Sequence, residues 1–251
     1  MLNATSGMRQ GVKNGRGRLP ISASMSHVAF NNLTGLFTHF ASAKDINYPT
    51  YTDKQFAEFE KACEILKKAG YENLIRHCAA TGGTLLNPKY HMDAVRVGIG
   101  LYGLWPSKEL DVQLRGAKIN LSPILSWHTI VSEIKLLRAG DYIGYDLVEK
   151  IERPTKMAIL PIGYWHGFPR ALSGIGEALI NGKTARVLGR VSMDLIAVDI
   201  TGISCRQFDE AVLISNKPES NLGAFRVAQK AGLIHYELLT RLNPLIQRVI
   251  V

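Results

Sequence analysis

Hydrophobic and polar positions follow two different patterns along the chain, and the change falls near residue 120. In the first part, short apolar runs at 33–41 and 73–80 flank a segment, 52–70, whose apolar residues recur at helical spacing. A further apolar, glycine-rich run at 92–103 is typical of a strand. The spacing therefore predicts strands and a helix in alternation, which is the order of parallel βα units.

In the second part of the chain the apolar runs are short and are separated by turn-forming residues. Ala-Gly-Asp at 139–141 and Asn-Gly-Lys at 181–183 are examples of these turn signals. Short strands joined by such turns are typical of an antiparallel β domain. One short helix is predicted at 221–232. We therefore expect two domains, an α/β domain at 1–119 and a β domain at 120–251.

The composition is that of an ordinary globular protein. The chain has 251 residues, of which 46% are hydrophobic and 20% are charged, so a sizeable core can form. Its three cysteines, Cys63, Cys78 and Cys205, have neither metal-ligand nor C-x-x-C spacing, which fits a reducing cytoplasm. No stretch is apolar for long enough to span a bilayer, and the first residues lack the apolar core of a signal peptide. We expect a cytoplasmic protein without a metal site or a membrane partner.

The net charge is +9, and part of it is concentrated near the beginning of the chain. Arg9, Lys13, Arg16 and Arg18 form this cluster, but no aromatic residues are interleaved with it. Nucleic-acid sites usually combine the two kinds of residue. We therefore predict a solvated basic face that attracts anionic small molecules, and no nucleic-acid partner.

The stretch Ala94–Pro106, "AVRVGIGLYGLWP", combines apolar residues, glycines and one arginine. Gly98, Gly100 and Gly103 match the G-x-G-x-x-G pattern, but a dinucleotide site needs a helix that opens directly after these glycines. Leu-Trp-Pro follows instead, and a proline disfavours helix in the residue before it. We therefore expect the glycines to let the backbone approach some other phosphate.

Arg96 lies inside this stretch and keeps its positive charge in any protein environment. Two interpretations are open from the residues alone. The guanidinium either forms an ion pair, for which Asp93 is close in sequence, or contacts a bound ligand.

Nine segments of the chain, taken together and in this order, resemble the bacterial alanine racemase family. They are "SGMRQGV", "GLFTHFASA", "QFAEF", "HCAAT", "VRVGIGLYGLWPS", "AGDYIGYD", "ILPIGYWHGFPR", "GRVSMDLIAVDI" and "HYELLTRL". The resemblance implies an isomerase that uses pyridoxal 5'-phosphate (PLP) to interconvert L- and D-alanine, which supplies D-alanine for peptidoglycan. It implies an α/β plus β fold, with a TIM-type (β/α) barrel followed by a C-terminal antiparallel β domain.

A complete barrel of this type has eight βα units and about 200 residues or more. Only about 119 residues precede the β domain here, and the resemblance begins near the fifth barrel strand. We therefore expect a partial TIM-type barrel and a truncated racemase. The family's Schiff-base lysine lies on the first strand, and no segment of this chain resembles its motif, so we assign that role to no lysine.

The resemblance implies a role in proton transfer for four residues. Tyr145 matches the tyrosine that serves as one of the two catalytic bases. Arg96 matches the arginine that contacts the PLP pyridine nitrogen. His39 and His77 match histidines of the hydrogen-bond relay between that arginine and the tyrosine.

The resemblance also implies a site for the PLP phosphate. Thr81 stands where the family has a phosphate-binding serine, and Ala80 replaces the asparagine before it. The backbone N–H groups of Gly98 and Ile99 match phosphate donors, and Tyr236 matches a phosphate-contacting tyrosine. Barrel enzymes commonly bind phosphate in the loops after strands seven and eight.

Substrate contacts are implied at further positions. Met193 matches the residue whose backbone N–H holds the substrate carboxylate, and Arg9 matches an arginine that contacts the same group. Tyr164, Arg170 and Arg190 match residues that line the substrate entrance.

The family's sites are shared across a homodimer, so Tyr145 and Met193 are expected to serve the partner subunit. This chain departs from the family at Asp146, where the family has glycine, and at His166, where it usually has aspartate. Two alternatives stay open: a non-catalytic remnant or PLP-binding fragment, and an amino-acid racemase of broader specificity.

Overall fold

The computed structural model of the chain describes residues 2–3, 33–44, 49–114, 119–217 and 220–251. The chain divides into two compact units, Met1–Leu121 (unit 1) and Ser122–Val251 (unit 2). Within the described residues, no helix combines the length and the apolar character that crossing a membrane requires.

Unit 1 contains a small parallel sheet with the strands in the order β1-β2-β3. The strands are β1 (Leu2–Asn3), β2 (Gly35–Phe37) and β3 (Ile75–His77), and helix α1 (Pro49–Lys68) connects β2 to β3. The predicted strand–helix–strand order is confirmed, although both predicted strands are shorter than their apolar runs. Parallel strands need such a crossover, because a short turn cannot bring the chain back to the same end of the sheet.

Helix α1 buries one face, and this face also fixes the loop that follows β2. Phe59 and Leu66 on this face belong to the hydrophobic core of unit 1. On the same face, the Gln55 side chain donates to the His39 carbonyl at 2.9 Å and accepts the Ala41 N–H at 3.0 Å. The amide of Gln55 thus holds the backbone of the loop in which His39 lies.

The strand predicted at 92–103 is wrong. This segment makes only an isolated parallel bridge between Ala80 and Arg96 and then forms a single 3₁₀ turn at Ile99–Tyr102. The Thr81 hydroxyl accepts the backbone N–H of Gly98, which a sheet ladder would otherwise use. The apolar character of the segment therefore reflects packing, while its glycines permit a turn.

Two further helices complete the described part of unit 1. They are α2 (Thr81–Leu86), which starts directly after the Ala80 bridge, and α3 (Lys108–Leu114). Neither was predicted, because each is too short to show a helical period in the sequence.

Unit 2 is built on a seven-stranded antiparallel sheet with the order β4-β12-β9-β10-β11-β8-β5, and a separate pair is formed by β6 and β7. The strands are β4 (Trp127–Ile130), β5 (Glu133–Leu137), β6 (Tyr142–Ile143), β7 (Glu149–Lys150), β8 (Thr155–Leu160), β9 (Glu177–Ile180), β10 (Lys183–Leu188), β11 (Ile196–Asp199) and β12 (Glu210–Ile214). All pairings in this sheet are antiparallel. The expected class, a partial barrel plus an antiparallel β domain, is confirmed.

The turn between β9 and β10 shows why the strands of unit 2 could be anticipated. Asn181 and Gly182 both have positive φ, at 48° and 76°. Two such residues are what a two-residue hairpin turn requires, and Asn-Gly is its preferred sequence. The helix predicted at 221–232 is present as α4 (Ala224–Lys230), and a second helix, α5 (His235–Thr240), follows it.

Candidate active site

Arg96 is the centre of a hydrogen-bond network in unit 1. One terminal nitrogen donates to Nδ1 and, at 3.1 Å, to the carbonyl of His77. The other donates to the carbonyls of Thr38 at 2.7 Å and Cys78 at 3.4 Å and to Nδ1 of His39 at 3.3 Å. These acceptors directly follow, or end, strands β2 and β3. Arg96 therefore joins the carboxyl ends of two parallel strands, which is where barrel enzymes place their sites.

The ion-pair interpretation of Arg96 is not supported, since Asp93 has another partner. Arg76 binds the Asp93 carboxylate with its Nε at 2.8 Å and a terminal nitrogen at 2.9 Å. This bidentate contact holds the pKa of Asp93 at about 2. Among the described residues no carboxylate forms an ion pair with Arg96, so its partners are carbonyls and imidazoles.

His77 is held in one protonation state by this network. Arginine has no acceptor, so Nδ1 of His77 must accept and the proton of the neutral ring lies on Nε2. Burial and the charge of Arg96 lower the pKa of His77. The ring is also stacked on Phe37, with centroids 5.6 Å apart. His77 is therefore neutral near pH 7 and supports the Arg96 guanidinium.

This shift in pKa predicts that the chain loses stability on mild acidification. The folded pKa of His77 lies below its unfolded value of about 6.5, so the unfolded state takes up the proton first. The contribution of His77 is complete above about pH 6.5 and declines as the pH falls below it. Urea unfolding at pH 7.5 and pH 5.5 checks this, and His77→Gln should flatten the dependence. An unchanged slope in that variant would show that another group is responsible.

A small cradle of backbone N–H groups lies beside the Arg96 network. Thr81 is buried, and its Oγ1 accepts the N–H of Gly98 at 3.1 Å and of Gly100 at 3.3 Å. Ile99 is the first residue of the 3₁₀ turn, so its N–H has no acceptor within that turn. The Gly98 N–H, predicted as a phosphate donor, is thus engaged by Thr81. A Cβ at Gly98 would meet no atom within 4 Å, so open space lies next to the Ile99 N–H.

Gly100 has a different role from Gly98. A Cβ there would lie only 2.8 Å from Cγ2 of Thr81. Gly100 is therefore needed for close packing against Thr81, while Gly98 borders the open space.

Tyr145 projects from a tight turn in unit 2, and its side chain is 69% exposed. Gly144, Asp146 and Leu147 in this turn all have positive φ, at 74°, 63° and 51°. The position of Asp146 suits glycine, but aspartate tolerates this conformation better than most residues. Its carboxylate lies 2.8 Å from Nε of Arg190. The aspartate thus adds an ion pair to the turn.

A second turn of unit 2 holds Tyr164 against the segment that contains Met193. Tyr164 donates its N–H to the Ser192 carbonyl at 3.0 Å, and a Cβ on Gly163 would lie 2.2 Å from the same oxygen. His166, in place of the family's aspartate, accepts the Gly163 N–H with Nδ1 at 3.2 Å. Its ring therefore closes the turn.

The other site residues that were predicted in unit 2 differ in their exposure to solvent. The Met193 side chain is 55% exposed, and its N–H donates to no acceptor among the described residues. Tyr164 and Arg170 line a cleft of about 530 Å³ together with Arg241. Tyr236 lies on α5, where burial raises the pKa of its phenol.

The structure brings together the site residues that were predicted in unit 1, namely Arg96, His39, His77, Thr81, Gly98 and Ile99. In unit 2, the turn of Tyr164 is hydrogen-bonded to the segment that contains Met193, whereas Tyr145 lies on another turn and Tyr236 lies on α5. Arg9 lies outside the described residues. Sequence analysis did not find the carbonyls of Thr38 and Cys78, because backbone acceptors carry no signal in the residue type.

Comparison with family profiles gives two matches that together cover most of the chain. "Alanine racemase, N-terminal domain" matches residues 2–106, and "Alanine racemase, C-terminal domain" matches residues 124–250.

Curated relatives carry the same name. Alanine racemase of Leptospira interrogans is 40% identical over 223 residues, which are 87% of this chain and 57% of that protein. Alanine racemase 1 of Clostridium acetobutylicum is 35% identical over 218 residues, which are 86% of this chain and 55% of that protein. The chain thus spans little more than half the length of these relatives.

Solved structures of similar fold include two with small molecules. Alanine racemase from Bacillus anthracis with bound L-Ala-P has a TM-score of 0.75 and 34% identity, and covers 84% of this chain and 53% of that chain. Alanine racemase from Bartonella henselae with covalently bound pyridoxal phosphate has a TM-score of 0.72 and 27% identity, and covers 87% of this chain and 56% of that chain.

Proposed function

Because the chain belongs to the alanine racemase family, we propose that it supplies part of the active site of an enzyme that interconverts L- and D-alanine with PLP. The observation that carries the proposal is the Arg96 network beside the cradle of Thr81, Gly98 and Ile99. One part offers a hydrogen-bond donor to a ring nitrogen, and the other offers donors to a phosphate.

The donors of Arg96 fit a pyridine nitrogen. Its two terminal nitrogens are engaged by acceptors of unit 1, whereas its Nε–H has no acceptor among the described residues. Arg96 can donate a hydrogen bond but does not release a proton. A pyridine nitrogen held by Arg96 would therefore stay unprotonated, which would weaken the ring as an electron acceptor and limit side reactions such as transamination.

The phosphate donors also fit. The Ile99 N–H has no acceptor in its turn, and open space borders Gly98. The Thr81 hydroxyl accepts two N–H groups, and its own hydrogen remains to be donated. The Ile99 N–H and the Thr81 hydroxyl can therefore bind phosphate oxygens, whereas the Gly98 N–H already donates to Thr81. We assign Tyr236 as a further phosphate contact on the resemblance alone.

The bound cofactor would supply an electron sink for the electrons left when the α-hydrogen is removed. The residues of this chain would bind the substrate and move a proton. The Met193 N–H, which has no acceptor among the described residues, can bind the alanine carboxylate, and Tyr145 can transfer a proton at its Oη. Racemisation needs a second base on the opposite face, and we assign it to no residue of this chain.

We further propose that the sites are shared between two subunits of a homodimer. Tyr145 and Met193 are 69% and 55% exposed, whereas proton transfer to carbon works best where water is excluded. A second subunit that covers these residues would provide such an environment.

The two glycines next to Thr81 provide a test of the phosphate site. Gly98→Ala should weaken PLP binding about tenfold or more, because the methyl group occupies the space beside the phosphate donors, while stability changes by less than about 1 kcal/mol. Gly100→Ala, the matched control, should lower the free energy of unfolding by about 1–3 kcal/mol, because its Cβ would press on Thr81. Fluorescence titration and urea unfolding measure the two effects. Equal PLP affinity in Gly98→Ala and the unmodified chain would contradict the assignment.

The reaction itself is tested on the natural gene product. With PLP added, it should convert L-alanine to D-alanine and D-alanine to L-alanine, as measured by chiral chromatography. Turnover of serine or a basic amino acid with higher kcat/KM than alanine would instead favour the broader-specificity racemase.

A further inference from the structure

The turn that carries Tyr145 has a backbone conformation that cannot persist by itself. Asp146 and Leu147 follow each other with φ of 63° and 51°. For residues with a Cβ, each such conformation is sterically unfavourable. The surrounding contacts must therefore fix this turn.

Both ends of the turn are fixed to the end of strand β10. On one side, a Cβ on Gly189 would lie 2.9 Å from the Ile143 carbonyl, so the two backbones are in close contact. On the other side, Glu149 accepts the Gly189 N–H with Oε2 at 2.6 Å and pairs with Arg186 through Oε1. These contacts fix the residues before and after the turn but not its middle.

Among the described residues, one ion pair contacts the middle of the turn. Asp146 Oδ2 lies 2.8 Å from Nε of Arg190. This Nε is buried and forms no hydrogen bond among the described residues, so its contact with Asp146 is an ion pair without hydrogen-bond geometry, in which Asp146 supplies the counter-charge. A Cβ on Gly144 would lie 3.3 Å from the Arg190 N, which shows how closely this residue approaches the turn.

Resting on the proposed function, we propose that Asp146 is a positioning residue for Tyr145, whose ion pair with Arg190 fixes the turn from which the phenol projects. The role belongs to the aspartate itself, since the glycine that the family has here could adopt the conformation but could not bind Arg190. Asp146 touches no reacting atom in this role; it acts through the backbone of Tyr145.

Two variants remove the ion pair and keep the backbone conformation, because asparagine and glycine both accept positive φ. The measurement is the NMR spectrum of the 251-residue chain labelled with ¹³C-tyrosine. The Tyr145 ring signal is identified among the nine tyrosines by its loss in Tyr145→Phe. Asp146→Asn and Asp146→Gly should shift or broaden this signal. Asp146→Glu should restore it in part. Glu133→Gln, which removes the exposed pair with Lys135, is the control and should leave the signal unchanged. The double variant Arg190→Gln with Asp146→Asn should change the Tyr145 ring signal no more than either single variant does, because both single variants remove the same ion pair.

An unchanged Tyr145 signal in both Asp146→Asn and Asp146→Gly would overturn the proposal. In the natural gene product, the same variants should lower kcat by up to about fivefold with little change in KM, the limit that an exposed ion pair sets. A gene product that does not racemise alanine would overturn the proposed function, whereas the ring signal would still decide whether Asp146 positions Tyr145.

Discussion

Replacing Arg96 with alanine is expected to lower the free energy of unfolding by about 2–4 kcal/mol and to abolish PLP binding. The variant removes the charged donor from the carbonyls of Thr38, His77 and Cys78. Hydrogen bonds to charged groups contribute about 1.5–3 kcal/mol each, and buried acceptors left without a donor are costly. Urea unfolding of the 251-residue chain, read by hydrogen exchange at the amides of unit 1, measures the loss.

Arg76→Ala is the matched control for this prediction, because Arg76 lies in the same unit and binds an exposed carboxylate, Asp93. An exposed ion pair contributes about 1 kcal/mol or less. We therefore expect a small loss of stability and unchanged PLP binding. If Arg76→Ala and Arg96→Ala lose stability and PLP binding to the same extent, the Arg96 network has no special role.

Replacing Tyr145 with phenylalanine is expected to reduce racemisation by about 10²–10⁴-fold in both directions, the range typical of losing a general acid–base group. The melting temperature should not change, because the Tyr145 side chain is 69% exposed and its hydroxyl has no partner among the described residues. Such a combination separates a role in proton transfer from a role in folding.

Tyr142→Phe is the control for Tyr145→Phe. Tyr142 lies three positions earlier, is 50% exposed, and contacts the ammonium group of Lys150 with its ring face at 6.0 Å. Phenylalanine keeps that face, so activity should remain. If Tyr142→Phe and Tyr145→Phe lose activity to the same extent, the effect belongs to the local structure and not to the Tyr145 hydroxyl.

The elements that were predicted correctly are those whose signals are local. The helix expected at 52–70 is α1 (Pro49–Lys68), because its buried residues recur at helical spacing. The Asn181–Gly182 turn was recognised because few other dipeptides adopt two positive φ angles. In contrast, the segment 92–103 has the composition of a strand but forms a turn. The reason is a hydrogen bond to the hydroxyl of Thr81, which is remote in the sequence.

The site shows the same division between local and tertiary signals. Arg96, His39 and His77 were placed together by the resemblance, and the structure joins them by hydrogen bonds. The partner of Asp93 could not be derived, because Arg76 and Arg96 are both compatible with its charge and only the fold selects Arg76. The Asp146–Arg190 pair was missed for the same reason, since the sequence shows the substitution of a glycine but not the cation that faces it.

The central claim is tested most directly by measuring how fast the natural gene product interconverts the alanine enantiomers. The rate is compared between the unmodified protein, Tyr145→Phe and Tyr142→Phe. The claim is that this chain supplies the proton-transferring tyrosine and the cofactor-binding arginine network of an alanine racemase. It predicts that the unmodified protein and Tyr142→Phe racemise alanine with PLP, while Tyr145→Phe, folded to the same extent, is slower by about 10²–10⁴-fold. Full activity of Tyr145→Phe in both directions, or no racemisation by the unmodified gene product, would contradict it.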